Sequence, residues 1–189
     1  MNTPTHLLVA AAALGRPNAR AVTTAALVGA MAPDFSLYFL TAWERFVLGV
    51  DFQTIFDERY FSDTWQSIFA VDNSIPVYAL ILGVGLLLRR EWLWAFAAGA
   101  LLHIALDLPL HHDDGRPHFW PFSDWVYVSP VSYWDSARYG NIVAPIEMAG
   151  ALGLCALLWR RFSGLGARVA IGAAAALNAV ALFAWALFF

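Results

Sequence analysis

The residues best suited to chemistry lie in the stretch HIALDLPLHHDD, residues 103–114. On a helix, a spacing of four stacks His103 over Asp107 with Cβ atoms about 5–6 Å apart. An imidazole and a carboxylate at that spacing can share one divalent ion, or simply hydrogen-bond to each other. Pro109 interrupts a regular helix, so His111 would approach from a turn. A mixed His/carboxylate set suits Zn²⁺, with Mn²⁺ or Fe²⁺ also compatible, and argues against a thiolate centre. The one cysteine, Cys155, sits in an apolar run and reads as packing.

Four more ionisable residues stand inside or beside apolar segments: His6, Asp34, Asp72 and Glu147. Such side chains cost about 2.5–3.5 kcal/mol at the centre of a membrane helix and are usually functional. Each also has a plainer reading. His6 can be interfacial, Asp34 and Asp72 can cap helices, and Glu147 can pair with an arginine such as Arg138. What favours a shared site is that all of them fall on one side of the membrane once the segments are oriented.

The elements that must hold these residues are long apolar helices. The chain is 60% hydrophobic and 13% charged, about half the charged fraction of an ordinary soluble domain, and its mean hydropathy is +0.60. Apolar runs predict helices near 4–14, 20–41, 74–89, 92–110, 141–160 and 167–188. The run from Val169 to Phe189 carries no charge and is long enough to cross a hydrocarbon core of about 30 Å. The 74–88 run is short and must borrow flanking residues. The first helix is too short to span comfortably. The expected fold is therefore all-α, a polytopic membrane bundle of five to six helices in a single domain over residues 1–189. The N-terminus lacks the basic region of a secretory signal.

Orientation follows from charge. Every basic residue is an arginine, read as the coding bias of a GC-rich bacterium, and seven of them lie in three short connections: Arg16, Arg20, Arg89, Arg90, Arg160, Arg161 and Arg168. The longer connections, about 42–73 and 111–140, are acidic. The positive-inside rule places the short connections in the cytoplasm and the long ones outside. His6, Asp34, Asp72, His103, Asp107 and Glu147 then all lie towards the outer face. Trp65, Trp92, Trp94, Trp120, Trp125 and Trp134 fall near helix ends, as interfacial aromatic belts do.

The segments THLLVAAAAL with His6, GAMAPDFSLYF with Asp34, LLHIALDLPLHHDD with His103, Asp107 and His111, and FWPFSDW occur in that order over residues 3–125. In this pattern the chain resembles the LexA-regulated, membrane-bound metal-dependent hydrolases, a bacterial group similar in its His/Asp pattern to zinc-dependent phospholipase C and P1-type nucleases. Members usually carry an HRGxTHS-like segment before the third helix. Here the comparable place reads AVDNS, with Asp72 and Asn73 in place of histidines.

Together these features make the expected protein a metal-dependent hydrolase of the bacterial inner membrane. Its substrate would be a phosphoester in a lipid or lipid-linked molecule at the outer face. His6, Asp34, His103, Asp107, His111 and Glu147 are the candidate metal ligands. Asp34 or Asp72 is the candidate base, and Arg116 or Arg138 could hold a phosphate oxygen. A proton- or ion-translocating protein and a structural membrane protein are the alternatives, the former disfavoured by the apolar inner halves. Net charge of −3 and the absence of a basic patch beyond the short connections argue against nucleic-acid binding.

Overall fold

The protein is described by a computed structural model covering residues 1–188, so Phe189, the end of the last uncharged run, lies outside the described residues. Seven helices of ten residues or more carry the fold, and no strand occurs among the described residues. They are α1 (Thr3–Ala13), α2 (Arg20–Ala42), α3 (Asp63–Asp72), α4 (Ile75–Leu87), α5 (Glu91–Asp107), α6 (Gly140–Arg161) and α7 (Leu165–Phe188). Five stretches are long and apolar enough to cross a membrane: Arg20–Val47, Asp63–Leu87, Glu91–Leu110, Gly140–Arg161 and Leu165–Leu187. Their outward faces carry exposed Leu80, Leu87, Ile146, Leu177, Val180 and Phe183, the surface expected of a helix solvated by lipid.

The second span, Asp63–Leu87, differs from the sequence expectation. The 74–88 run does borrow flanking residues, and it takes them from α3, which the sequence reading placed in an acidic connection. The break falls at Asn73 and Ser74 for local reasons. The Ser74 hydroxyl accepts the Val77 amide at 3.2 Å as an N-cap, and Pro76 sits in the first turn, where its missing N–H costs nothing. The rest of the 42–62 connection is helical turn as well, over Trp43–Val47 and Ile55–Arg59. Its small core joins Ile55, Tyr60, Trp65 and Phe69. Trp65 is thus a core residue, 4% exposed, whereas Trp92, Trp125 and Trp134 are exposed as belt residues would be.

The closest approach in the bundle is between α2 and α5, and small residues make it. Ala26, Ala30, Ala95, Ala97 and Ala100 are buried. A Cβ added at Gly29 would lie 1.9 Å from the Phe96 carbonyl oxygen, and one at Gly99 would lie 2.3 Å from the Ala26 carbonyl oxygen. Small residues at such contacts let helix backbones meet and gain dispersion that bulky side chains would forbid. This contact sets the register between Asp34, further along α2, and His103, one turn beyond Gly99 on α5.

Helix α1 spans about 16 Å at 1.5 Å per residue, short of a full crossing. It packs inside the bundle against α2, α5 and α6. Its C-terminal end is held at the arginine-rich end of the molecule. Arg161 donates to the carbonyls of Ala12, at 2.6 Å, and Gly15, and Arg16 pairs with Glu91 at 3.0 Å. Its N-terminal end therefore stops part-way along the bundle, carrying His6 into the half away from the arginine-rich end.

Candidate metal centre

The C-terminal end of α5, the N-terminal half of α1 and the C-terminal half of α2 meet at one point. His6, His103 and Asp107 offer ligand atoms all within 4.8 Å of one another. The two imidazoles stack with ring centroids 3.7 Å apart and planes 15° apart. Both are 1% exposed. Asp107 lies 2.8 Å from His6 Nε2 through Oδ1, and 3.2 Å from both His103 Nε2 and His111 Nε2 through Oδ2. Asp34 Oδ1 stands 3.7 Å from His103 Nε2, and its Oδ2 accepts the Thr3 hydroxyl. The α-amino group of Met1 lies 2.6 Å from Asp107 Oδ1.

His103 is oriented by the backbone. Its Nδ1 donates to the Ala30 carbonyl at 2.7 Å, so in the neutral ring Nε2 turns a lone pair towards the carboxylates of Asp107 and Asp34. That buried nitrogen makes no hydrogen bond, and neither does His6 Nδ1. Two imidazoles in contact at this separation cannot both carry charge without strong repulsion. A buried imidazole nitrogen facing two carboxylates favours a cation between them, and on the Oδ1 side of Asp107 the Met1 ammonium already supplies one. Two nitrogens and two carboxylates are the donor set that borderline divalent metals take. The second partner of His103, a carbonyl on its far nitrogen, is the arrangement that holds metal-binding histidines in the right tautomer.

The other candidate residues are placed as follows. His111 Nδ1 lies 2.9 Å from Asp114 Oδ2, so His111 stands between two carboxylates. Burial alone would lower its pKa, but the hydrogen bonds to Asp107 and Asp114 outweigh that and raise it to about 9. Glu147 is held at the start of α1, outside the group: its Oε1 accepts the Asn2 amide at 2.7 Å, and its Oε2 has no hydrogen-bond partner. Asp72 is not brought into the group. It faces Ser36 of α2, because the helix break after it turns Asn73, not Asp72, towards the cavity.

That cavity, about 570 Å³, opens beside Asp107 and is lined by Asp34, Asp107, His111, Asp114, Arg116 and His118 among others. His118 went unread in the sequence. It is buried, and its Nδ1 donates to the Asn73 carbonyl at 3.0 Å, leaving Nε2 free as an acceptor. Burial holds its pKa below the usual range, and the carbonyl contact only partly offsets this. Asn73 is a strut: its amide nitrogen donates to the carbonyls of Pro33 and Phe69 at 3.2 and 3.1 Å. A histidine in the acidic connection was a visible signal, but its contact 45 residues away was not. Of the two candidate anion-holding arginines, Arg116 lines the cavity and Arg138 is exposed away from it.

A helical bundle that buries a His/Asp group in one half and lines its surface with apolar side chains is a multi-pass membrane protein with a polar centre. The chain belongs to the YdjM inner membrane protein family, whose sequence profile matches residues 1–188. The LexA-regulated membrane grouping expected from its motifs is consistent with that membership. No curated protein and no solved structure matches the chain.

Proposed function

We propose that the protein is a membrane-bound, metal-dependent hydrolase acting on a phosphoester at the non-cytoplasmic face. The observation that carries this reading is the buried Nε2 of His103, which has no hydrogen-bond partner and stands 3.2 Å from Asp107 Oδ2 and 3.7 Å from Asp34 Oδ1. His6, His103, Asp107 and Asp34 would hold the metal, and His111 stands close enough to join them. A divalent ion there, Zn²⁺ or in its place Mn²⁺ or Fe²⁺, would supply Lewis acidity and bring the pKa of a bound water towards ~7.

The chain's own groups do the rest. Asp34 Oδ1 either completes the ligand set or, left off the metal, takes a proton from a nucleophile entering through the cavity. The proton taken by Asp34 is then the one available to the leaving oxygen, while His118, neutral and with Nε2 unprotonated, serves as a hydrogen-bond acceptor beside it. Asp72 faces Ser36 and takes no part in this scheme. The α2–α5 glycine contact fixes His103 against Asp34, so no loop movement is needed to assemble the site. The seven arginines at the opposite end support placing the cavity outside the cytoplasm.

The test is hydrolysis of a phosphoester panel by purified protein with and without a chelator, alongside Asp107→Asn. Activity that needs the metal and drops by at least about a hundredfold in Asp107→Asn supports the reading, since losing a metal ligand costs more than the 10–100-fold of a supporting residue. Activity indifferent to both changes rejects it.

A further inference from the structure

Arg116 is placed as an anion-binding residue and has nothing anionic to bind. Its guanidinium lies over the ring of Phe69, 4.1 Å from the centroid, and over Tyr60 at 4.7 Å. It donates to the Tyr60 hydroxyl at 2.6 Å and to Gln66 Oε1 at 3.2 Å. Two of its five N–H groups are thereby used, both on neutral acceptors. No carboxylate lies within 4.0 Å of it among the described residues, although arginine elsewhere in this chain finds Glu44 and Glu91. Its neutral partner stays neutral: burial pushes the Tyr60 phenol up to about 12. The side chain is half-buried, and it is the one arginine among the described residues lining the cavity.

Four acidic side chains beside Asp107 line the same space: Asp34, Asp57, Asp113 and Asp114. A cation held on two aromatic faces, away from these carboxylates, is poised for a ligand and does not serve as a structural ion pair. Arg116 lines the same cavity of about 570 Å³ as Asp107 and His111, so the guanidinium and one carboxylate of the candidate metal group border one ligand-sized space. We propose that Arg116 is the anion subsite of this cavity and takes the oxygens of a phosphoryl group whose other oxygens face the His6–His103–Asp107 group. A guanidinium fork matches two phosphoryl oxygens in a way no point charge does. The wall beside it is apolar, formed by Leu37, Phe56 and Phe61, and would accommodate the chain of a lipid phosphate.

This inference rests on the metal-dependent reading for the far oxygens of the ligand but not for Arg116 itself. The experiment titrates inorganic phosphate, glycerol phosphate and a short-chain lysophosphatidate into detergent-purified protein, both zinc-loaded and chelated, by calorimetry, with metal content measured in parallel. Arg116→Gln should retain its metal and bind phosphate at least about tenfold more weakly than the wild type. Arg116→Lys should fall between them, because it keeps the charge and loses the fork. Tyr60→Phe keeps the ring under the guanidinium and removes its hydroxyl acceptor, so a weaker loss is expected even if Arg116→Gln fails to fold. Equal phosphate affinity in folded wild type and Arg116→Gln, both metal-loaded, overturns the subsite and leaves the metal reading standing. If the wild type holds no metal, the hydrolase reading fails. The subsite is then judged on the metal-free protein: phosphate binding sensitive to Arg116→Gln supports it, and insensitive or absent binding overturns it. Lysophosphatidate binding tighter than glycerol phosphate identifies a lipid headgroup as the source of the phosphoryl group, and equal affinities identify a water-soluble phosphate; both support the subsite.

Discussion

Replacing Gly29 with alanine should damage the site although Gly29 touches none of its ligands. The new Cβ would stand 1.9 Å from the Phe96 carbonyl oxygen, 2.7 Å from its carbon and 2.9 Å from its Cα, whereas ordinary contact begins at 3.4 Å. All three atoms belong to the backbone of α5, so no side chain can move aside. The helices must part by about 1.5 Å, the difference between 3.4 and 1.9 Å. The His103–Ala30 hydrogen bond, one residue along at 2.7 Å, would open to near 4.2 Å, beyond hydrogen-bonding range. His103 would then lose the contact that fixes its tautomer and ring orientation. Loss of such a supporting contact lowers metal affinity by about 10–100-fold, and the forced separation costs about 1–3 kcal/mol of stability. Gly83→Ala is the control, since a Cβ there meets nothing within 4 Å. Competition with a chelator of known affinity reads the metal, and thermal melting reads the fold. If Gly29→Ala matches Gly83→Ala in both, the glycine contact does not position the site.

Two further outcomes follow from the same packing and orientation. Asn73→Ala removes the donor to the Pro33 and Phe69 carbonyls and should lower stability by about 1–2 kcal/mol in thermal melts, with Asn73→Asp no better because a carboxylate cannot donate. In a Cys155→Ala background, a cysteine at Ser123 should react with an impermeant thiol reagent added to whole cells, while one at Ser163 should react only after lysis; the reverse pattern would invert the topology.

The membrane character was legible because uncharged runs such as 169–187 have no other use. The gathering of His6, Asp34, His103 and Asp107 was legible too, because alternating basic and acidic connections put sequence-distant residues on one face. Spacing within one helix foretold the His103–Asp107 contact, and His111 does reach Asp107 across Pro109. What stayed hidden depends on backbone approach and on helix breaks. Glycines at 29 and 99 look like any small residues until their partner helix is known. The division of the second span at Asn73 and Ser74 decides that Asp72 faces Ser36 and that Asn73 and His118 face the cavity. No periodicity encodes that. Arg116 and Arg138 were indistinguishable as loop arginines, and only the aromatic seat formed by Tyr60 and Phe69 separates them.

The central claim is that the buried His6–His103–Asp107 group holds a divalent ion, and elemental analysis of protein purified without chelator tests it most directly. Wild-type protein should retain a divalent metal at close to one equivalent or more per chain, with His103→Gln and His6→Gln, chosen to keep side-chain bulk, falling to background while remaining folded. A folded wild type whose metal content equals that of the two variants would contradict it.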